Sequence, residues 1–188
     1  MSTIEDTAGP VLAQRIRGER EARGWSLAGL SERAGVSKAM LSKIERAEAS
    51  PTAATLSRIA TAYDLTMAAL FEGPRGGSSR LLRAKDQPVW RDPKTSYLRR
   101  QVFLSASSPM ELVEVELPAR QEVGFPASAY QLIRQVVWVL SNRLTIMEGA
   151  TRHELGAGDR VEFDVPSDVV FRNEGAQPCR YVVAVVRR

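Results

Sequence analysis

The chain of 188 residues carries 26 Lys/Arg against 22 Asp/Glu, a formal net charge of +4, with one cysteine and one histidine. A lone cysteine excludes an internal disulfide and a multi-cysteine metal site, a lone histidine leaves no centre built on two imidazoles, and no apolar run reaches the length of a membrane span. Residues 1–75 hold 10 Lys/Arg against 9 Asp/Glu, so bulk charge names no partner and only the placement of charge can argue for nucleic acid.

The opening "MSTIEDTAGP" is polar and acidic, without the basic start and apolar stretch of a signal peptide, and is expected to be a disordered tail. From Val11 to about Phe71 the apolar residues fall at helical spacing in short blocks separated by Gly or Pro, which predicts a small all-α unit, complete in itself. Ser26 caps a helix carrying Leu27, Leu30 and Ala34, and Gly35 supplies the left-handed turn behind it. Gly29, exposed within that helix, costs about 1 kcal/mol relative to Ala. Ser37 caps the next helix. At 100° per residue, Ser37, Met40, Leu41 and Ile44 share one arc, and Met40, Leu41 and Ile44 are expected to be buried. Lys38, Ala39, Ser42, Lys43 and Arg46 fill the other arc. A short helix with this outward face, two residues past a glycine turn, has the makeup of a recognition helix, and its N-terminal amides favour phosphate. Ser50-Pro51 reads as the cap and first turn of a further helix, with Leu56, Ile59, Ala60 and Tyr63 on its buried stripe.

"GPRGGSSR" has the composition of a flexible linker. Beyond it, runs such as "RRQVFLS", "MELVEVEL", "QVVWVL", "RLTIM" and "RYVVAVV" alternate between turn signals, which predicts a β-sandwich or barrel. The expected division is a helical DNA-binding unit over 11–72, a linker over 73–80 and a β unit over 81–188. The solitary cysteine fits a reducing, cytoplasmic setting.

The stretch "GWSLAGLSERAGVSKAMLSKIERAEASPTAATLSRIA" combines a capped second helix, "AGVS", the "LSKIER" third helix and the "SPTAATL" fourth helix in register. It resembles the five-helix helix-turn-helix of phage-repressor and Xre-type regulators across residues 11–71. That resemblance implies base reading by Lys38, Ala39, Ser42 and Lys43, with Arg46 on the same outward face, and phosphate contacts at Ser26 and Ser37. It also implies a structural salt bridge between Arg20 and Glu45. Leu27 stands where phage repressors often carry a Gln that braces readout, and Ser31 replaces an Ala at a helix contact, so the base code is left open. The same segment is similar to a sulfur-utilisation regulator subgroup, which implies a metabolic effector.

The second half, through "VELPAR", "QVVWVLSNRLTIMEG", "LGAGDRVEF" and "FRNEG", resembles the small cupin barrel appended to such regulators. The implied fold is α + β and multidomain, a five-helix helix-turn-helix bundle followed by a small cupin β-barrel. Metal-bearing cupins converge two histidines, a glutamate and a later histidine on one ion. The corresponding positions here hold Ser128, Tyr130, Gln135 and Val169, which implies no metal and no cofactor. His153 lies off that motif. A pocket with Ser128, Tyr130, Gln135, Trp138, Phe163, Val169 and Phe171 on its wall suits a small-molecule effector rather than chemistry, although Trp138 and Phe163 also suit plain barrel filling, and a one-residue slip of register exchanges inward and outward side chains.

The leading expectation is therefore a non-enzymatic, sequence-specific transcriptional regulator that binds a palindromic double-stranded operator as a homodimer. The alternatives are a cupin oxygenase or isomerase tethered to a DNA-binding module, and an antitoxin-like repressor whose β half holds a partner protein.

Overall fold

Among the described residues, four α-helices open the fold: α1 (Gly9–Ala22), α2 (Leu27–Ala34), α3 (Lys38–Glu45) and α4 (Ala53–Ala62). The structure, a computed structural model, describes residues 8–72, 80–105 and 107–187. Ser26 caps α2 by accepting from the Gly29 amide at 3.1 Å, Ser37 caps α3 by accepting from Met40 at 3.3 Å, and Gly35 closes α2 at φ +61°. The cap of α4 is Thr52, not Ser50, because its hydroxyl reaches the Thr55 amide at 3.3 Å once Pro51 has been packed away as a buried residue ahead of the helix. In place of the expected fifth helix stands a single 3₁₀ turn, Ala68–Phe71. The left-handed Asp64 (φ +56°) and the "GP" at Gly73 leave too few residues between them for a stable α-helix. Leu12, Ile16, Leu30, Leu41, Ile44, Leu56, Ile59 and Tyr63 form the centre of this half, and the Tyr63 hydroxyl donates to the Ile16 carbonyl at 2.9 Å.

Among the described residues ten strands follow: β1 (Val89–Arg91), β2 (Leu98–Phe103), β3 (Met110–Leu117), β4 (Glu122–Phe125), β5 (Ile133–Ser141), β6 (Leu144–Glu148), β7 (Thr151–Leu155), β8 (Arg160–Glu162), β9 (Val169–Arg172) and β10 (Cys179–Arg187). They make a six-stranded sheet, β1-β2-β3-β10-β5-β8, and a four-stranded sheet, β4-β9-β6-β7, with every pair antiparallel. The expected closed barrel is not formed. Among the described residues no ladder joins the two sheets, because at the left-handed Asn142 (φ +63°) the chain leaves β5 in one sheet and enters β6 in the other. Alternation sets the inner faces: Val113, Val115 and Leu117 on β3, Val137 and Val139 on β5, and Tyr181, Val183 and Val185 on β10 are buried. The rings of Phe171 and Tyr181 stack across the gap with centroids 5.6 Å apart.

The helical half does not stand alone as its sequence suggests. Buried residues of both halves form one continuous cluster, with Phe71 against Trp90 at 6.0 Å between ring centroids. The first amide of α4, on Ala53, donates to the buried carboxylate of Asp92 at 2.6 Å, so the β half places a carboxylate at the positive end of a DNA-domain helix. Asp92 is itself fixed by the Lys94 and Thr95 amides at 2.7 and 2.9 Å. Most of the glycine-rich linker, residues 73–79, lies outside the described residues.

Candidate functional site

Helix α3 is held from behind and open in front. Leu41 and Ile44 are buried, and Glu45, at the edge of that stripe, takes a bidentate pair from Arg20 at 2.7 and 2.8 Å. Arg20 also donates to the Trp25 carbonyl at 2.9 Å, which ties α1, the turn before α2, and α3 into one frame. The front face exposes Lys38, Ala39 and Lys43, with Ser42 half-buried. Met40, expected in the core, is instead exposed at the edge of the inward arc: it is 41% exposed. Only two turns of helix are present, and the inward stripe narrows to the i, i+3 pair Leu41 and Ile44.

The charges on this face are unequal. Arg46 makes a bidentate pair with Glu48 at 2.7 and 2.8 Å and also donates to the Ser42 hydroxyl, so both Arg46 and Ser42 are engaged. Among the described residues Lys38 and Lys43 make no ion pair. Ser26 and Ser37 spend their hydroxyls on caps, accepting from the Gly29 and Met40 amides, which leaves the amides of exposed Ala28 on α2 and of exposed Lys38 and Ala39 on α3 without an intrahelical carbonyl.

Of the seven residues expected to wall a pocket in the β half, Tyr130, Gln135, Phe163, Val169 and Phe171 are brought together and Ser128 and Trp138 are not. Trp138 is 51% exposed on the outer face of the six-stranded sheet, because Val137 and Val139 on either side of it point inward. Ser128 borders an outer cleft with Thr61, Asp64, Leu132 and Arg187. Phe163 and Val169 line a small cleft that also touches Glu148. Tyr130 and Gln135 border that cleft too, and together with Phe171 they line a larger cavity of about 70 Å³ beneath α4.

This cavity is bounded on one side by Ser57, Ala60 and Thr61 of α4 and by Thr66, and on the other by the inner face of the sheet. It brings in residues that sequence reasoning missed: Tyr97 and Arg99 on β2 and the turn before it, and Glu111 on β3. Arg99 is 8% exposed; its Nη1 donates to the Tyr97 hydroxyl at 3.0 Å and its Nε has no hydrogen-bond partner. Glu111 is fully buried; its Oε1 accepts from the Thr66 hydroxyl at 2.8 Å, with Arg187 Nε at 3.5 Å, and its Oε2 has no partner. Burial pushes the Glu111 carboxyl up from the usual carboxylate range, against the Thr66 hydrogen bond. Parity was the available signal for Glu111, since it shares the inward phase of Val113, Val115 and Leu117 in "MELVEVEL".

The side chains at the metal positions implied by the cupin likeness do not fit a transition-metal centre. Val169 offers no donor atom, and burial holds the Tyr130 phenol well above its ordinary pKa, so it stays protonated. Among the described residues no three His, Cys, Asp or Glu side chains gather as a ligand set. His153 instead meets Glu148, Nε2 to Oε2 at 3.0 Å.

Residues 16–70 match the helix-turn-helix family model, so the helical half carries a helix-turn-helix domain. The chain is 29% identical over 170 residues to the HTH-type transcriptional regulator SutR of Escherichia coli (strain K12), covering 90% of this chain and 91% of that one. The crystal structure of an HTH_3 family transcriptional regulator from Vibrio cholerae superimposes with a TM-score of 0.77 at 24% identity, over 96% of this chain and 97% of that one. A hydroxypropylphosphonic acid epoxidase from S. wedmorenis is a weaker likeness, with a TM-score of 0.48 and 16% identity over 97% of this chain and 100% of that one.

Proposed function

We propose that this protein is a sequence-specific, DNA-binding transcriptional regulator that acts in the cytoplasm, reads its operator with α3, and receives a small-molecule signal in its β half. The observation that carries this reading is the front face of α3, where Lys38 and Lys43 stand without ion-pair partners on a helix braced from behind by Arg20 and Glu45. A helix of this kind enters the major groove, where side chains at its start reach base edges and the first-turn amides of α2 and α3 take phosphates. Ser26, Ser37, Lys38, Ala39, Ser42, Lys43 and Arg46 form that surface, with Arg46 free to exchange Glu48 for a phosphate because an exposed ion pair contributes little to stability. The helical domain over 11–72 and the β domain over 81–188 divide these tasks. No helix among the described residues is long and apolar enough to cross a membrane.

One α3 reads only a few base pairs, so the regulator acts as a homodimer on a two-fold operator. The outer face of the six-stranded sheet suits that contact. Val136 and Trp138 on β5, Val182, Ala184 and Val186 on β10, and Met110 on β3 lie in mutual register there. Three of these, Trp138, Val186 and Met110, are exposed. Trp138→Glu is expected to convert a dimer to a monomer in sedimentation and to weaken operator binding at low protein concentration.

The direct test of the DNA-reading function is selection of bound duplexes from a random pool with the full chain, followed by footprinting. A two-fold motif with half-sites about one helical turn apart is the expected result. Failure to enrich any motif above competitor DNA at physiological salt would remove the reading.

A further inference from the structure

We propose that the cavity between α4 and the six-stranded sheet binds a small zwitterion, an amino acid, with its carboxylate on Arg99 and its ammonium group on Glu111. This rests on the reading above that the β half receives a small-molecule signal, and it names the chemistry and place of that signal.

Two opposite charges face one cavity without meeting each other. Arg99 holds a single hydrogen bond, to the Tyr97 hydroxyl, and Glu111 is engaged only through Oε1. Among the described residues no carboxylate lies within ion-pair distance of Arg99, while the unpaired Nε of Arg99 and Oε2 of Glu111 are both shielded from solvent. Arg187 stands 3.5 Å from Glu111 Oε1, but Glu111 Oε2 and Arg99 Nε are still unmet; buried ionic atoms left unmet are destabilising, and a partner inside the cavity offsets that. An apolar ligand would leave both unmet atoms without a partner, a simple anion would leave Glu111 Oε2 unmet, and a simple amine would leave Arg99 Nε unmet. A molecule with a carboxylate at one end and an ammonium at the other satisfies both.

Size narrows the class. A cavity of about 70 Å³ holds several groups of water size, at about 10–15 Å³ each, which admits an amino acid and excludes a nucleotide or a peptide. Gln135 and Tyr130 add neutral hydrogen-bonding groups, whereas Ala60, Leu65, Phe125 and Val183 give the remaining wall an apolar surface for a small aliphatic side chain.

The position also links occupancy to the DNA-binding half. The Thr66 hydroxyl that Glu111 holds accepts from the Ala69 amide at 3.0 Å, starting the 3₁₀ turn that follows α4, while Ser57, Ala60 and Thr61 of α4 form the opposite wall. An ammonium group arriving at Glu111 shares the carboxylate with Thr66, and bound ligand bears directly on α4. The signal therefore has a route that does not pass through the linker. To act, the ligand must bind the two DNA-binding states unequally.

The test uses the full chain. Each of the twenty proteinogenic L-amino acids is titrated at millimolar concentration by thermal shift and calorimetry, beside the matched acid lacking the amine and the matched amine lacking the acid. The expected result is saturable binding of at least one small amino acid, with neither matched analogue binding comparably. Arg99→Met and Glu111→Gln should each weaken binding by about tenfold or more, as loss of a charge-assisted hydrogen bond implies. Silence across the whole panel, equal binding of an acid or amine analogue, or undiminished binding in Glu111→Gln would overturn the proposal. Operator retardation run on the same preparations separates this from the regulator reading. Operator binding without amino-acid binding fells the cavity proposal alone, and amino-acid binding without operator binding upholds the cavity and fells the regulator.

Discussion

The two halves of the molecule distribute polarity in opposite ways. The helical half packs aliphatic side chains and Tyr63 within and sinks a single ion pair, Arg20 with Glu45, at the edge of that interior; among its described residues Ser57, on the cavity wall, is the other buried polar side chain. The β half buries Asp92, Arg99, Gln101, Glu111, Gln135, Thr145 and Asn173. Buried polar groups cost free energy unless they are paired: Asp92 and Asn173 are paired by hydrogen bonds, whereas Arg99, Gln101 and Glu111 each keep an unpartnered atom. DNA reading needs a rigid scaffold with chemistry on its surface. Sensing a small polar molecule needs chemistry inside, at a place the surface unit can feel.

The largest expected effect tests the surface side of this contrast. Lys38→Ala combined with Lys43→Ala should abolish specific operator binding, a loss of about 2–6 kcal/mol if each contact carries about 1–3. Circular dichroism should be unchanged, because both side chains are exposed. Wild-type footprints at matched salt would mean that α3 is not the reader. Arg20→Ala should act on the scaffold instead. It strands the Glu45 carboxylate, which is 7% exposed, and breaking a buried pair costs about 3–5 kcal/mol. A large fall in melting temperature, with operator affinity retained well below the melt, is the expected pattern.

How much of this could be read from the chain follows the same divide. Helix caps at Ser26 and Ser37, the Gly35 turn, the stripe through Leu56, Ile59, Ala60 and Tyr63, and the outward lysines are set by local periodicity, and all of them stand in the structure as read. The misplaced features depend on tertiary context. Met40 sits at the edge of an arc that two helical turns cannot bury whole, and Thr52 outcompetes Ser50 only once Pro51 is packed. In the β half, alternation shows that residues face two ways but not which way is in. Trp138 looks like core by residue type and is exposed by parity, while Glu111 looks like surface by type and is buried by parity. Arg99 and Glu111 converge only through the pairing of β2 and β3 and the docking of α4, which no local window contains.

A smaller effect probes the joint between the halves. Asp92→Asn leaves a buried side chain at the N-terminus of α4 but removes the charge that its Ala53 amide and helix dipole face. The expected cost is about 1–2 kcal/mol. Because the halves share one buried cluster, a single cooperative transition should move as a whole in denaturant melts. Separation into two transitions, with only the helical one shifted, would show that the halves fold independently and that the shared core contributes little.

The smallest effect concerns the pH dependence of stability, and its sign is fixed by Glu111. Burial raises its folded-state pKa, with the Thr66 hydroxyl, Arg187 and Arg99 opposing that rise and Glu72 adding to it. The unfolded carboxyl titrates near its ordinary value of about 4.3, so between that value and the raised one the folded protein holds a proton that the unfolded chain has released. The stabilisation this provides is fully present below the unfolded pKa and is lost as pH rises through the folded one. Above that point the native state must carry the buried charge. Glu111→Gln keeps an oxygen for the Thr66 hydroxyl and removes the titration. The wild type should therefore lose stability relative to the variant as pH increases from about 4 toward neutrality, and the variant should melt higher at neutral pH. The difference between the two melting curves isolates this carboxyl from Glu21, Glu48 and Glu174, whose pKa values are lowered by hydrogen bonds from Arg17, Arg46 and Arg152 and whose contribution has the opposite slope. A difference that is flat with pH would mean that Glu111 is paired as well in the folded protein as in water, and that the contrast between an apolar helical interior and a charged β interior does not extend to its energetics.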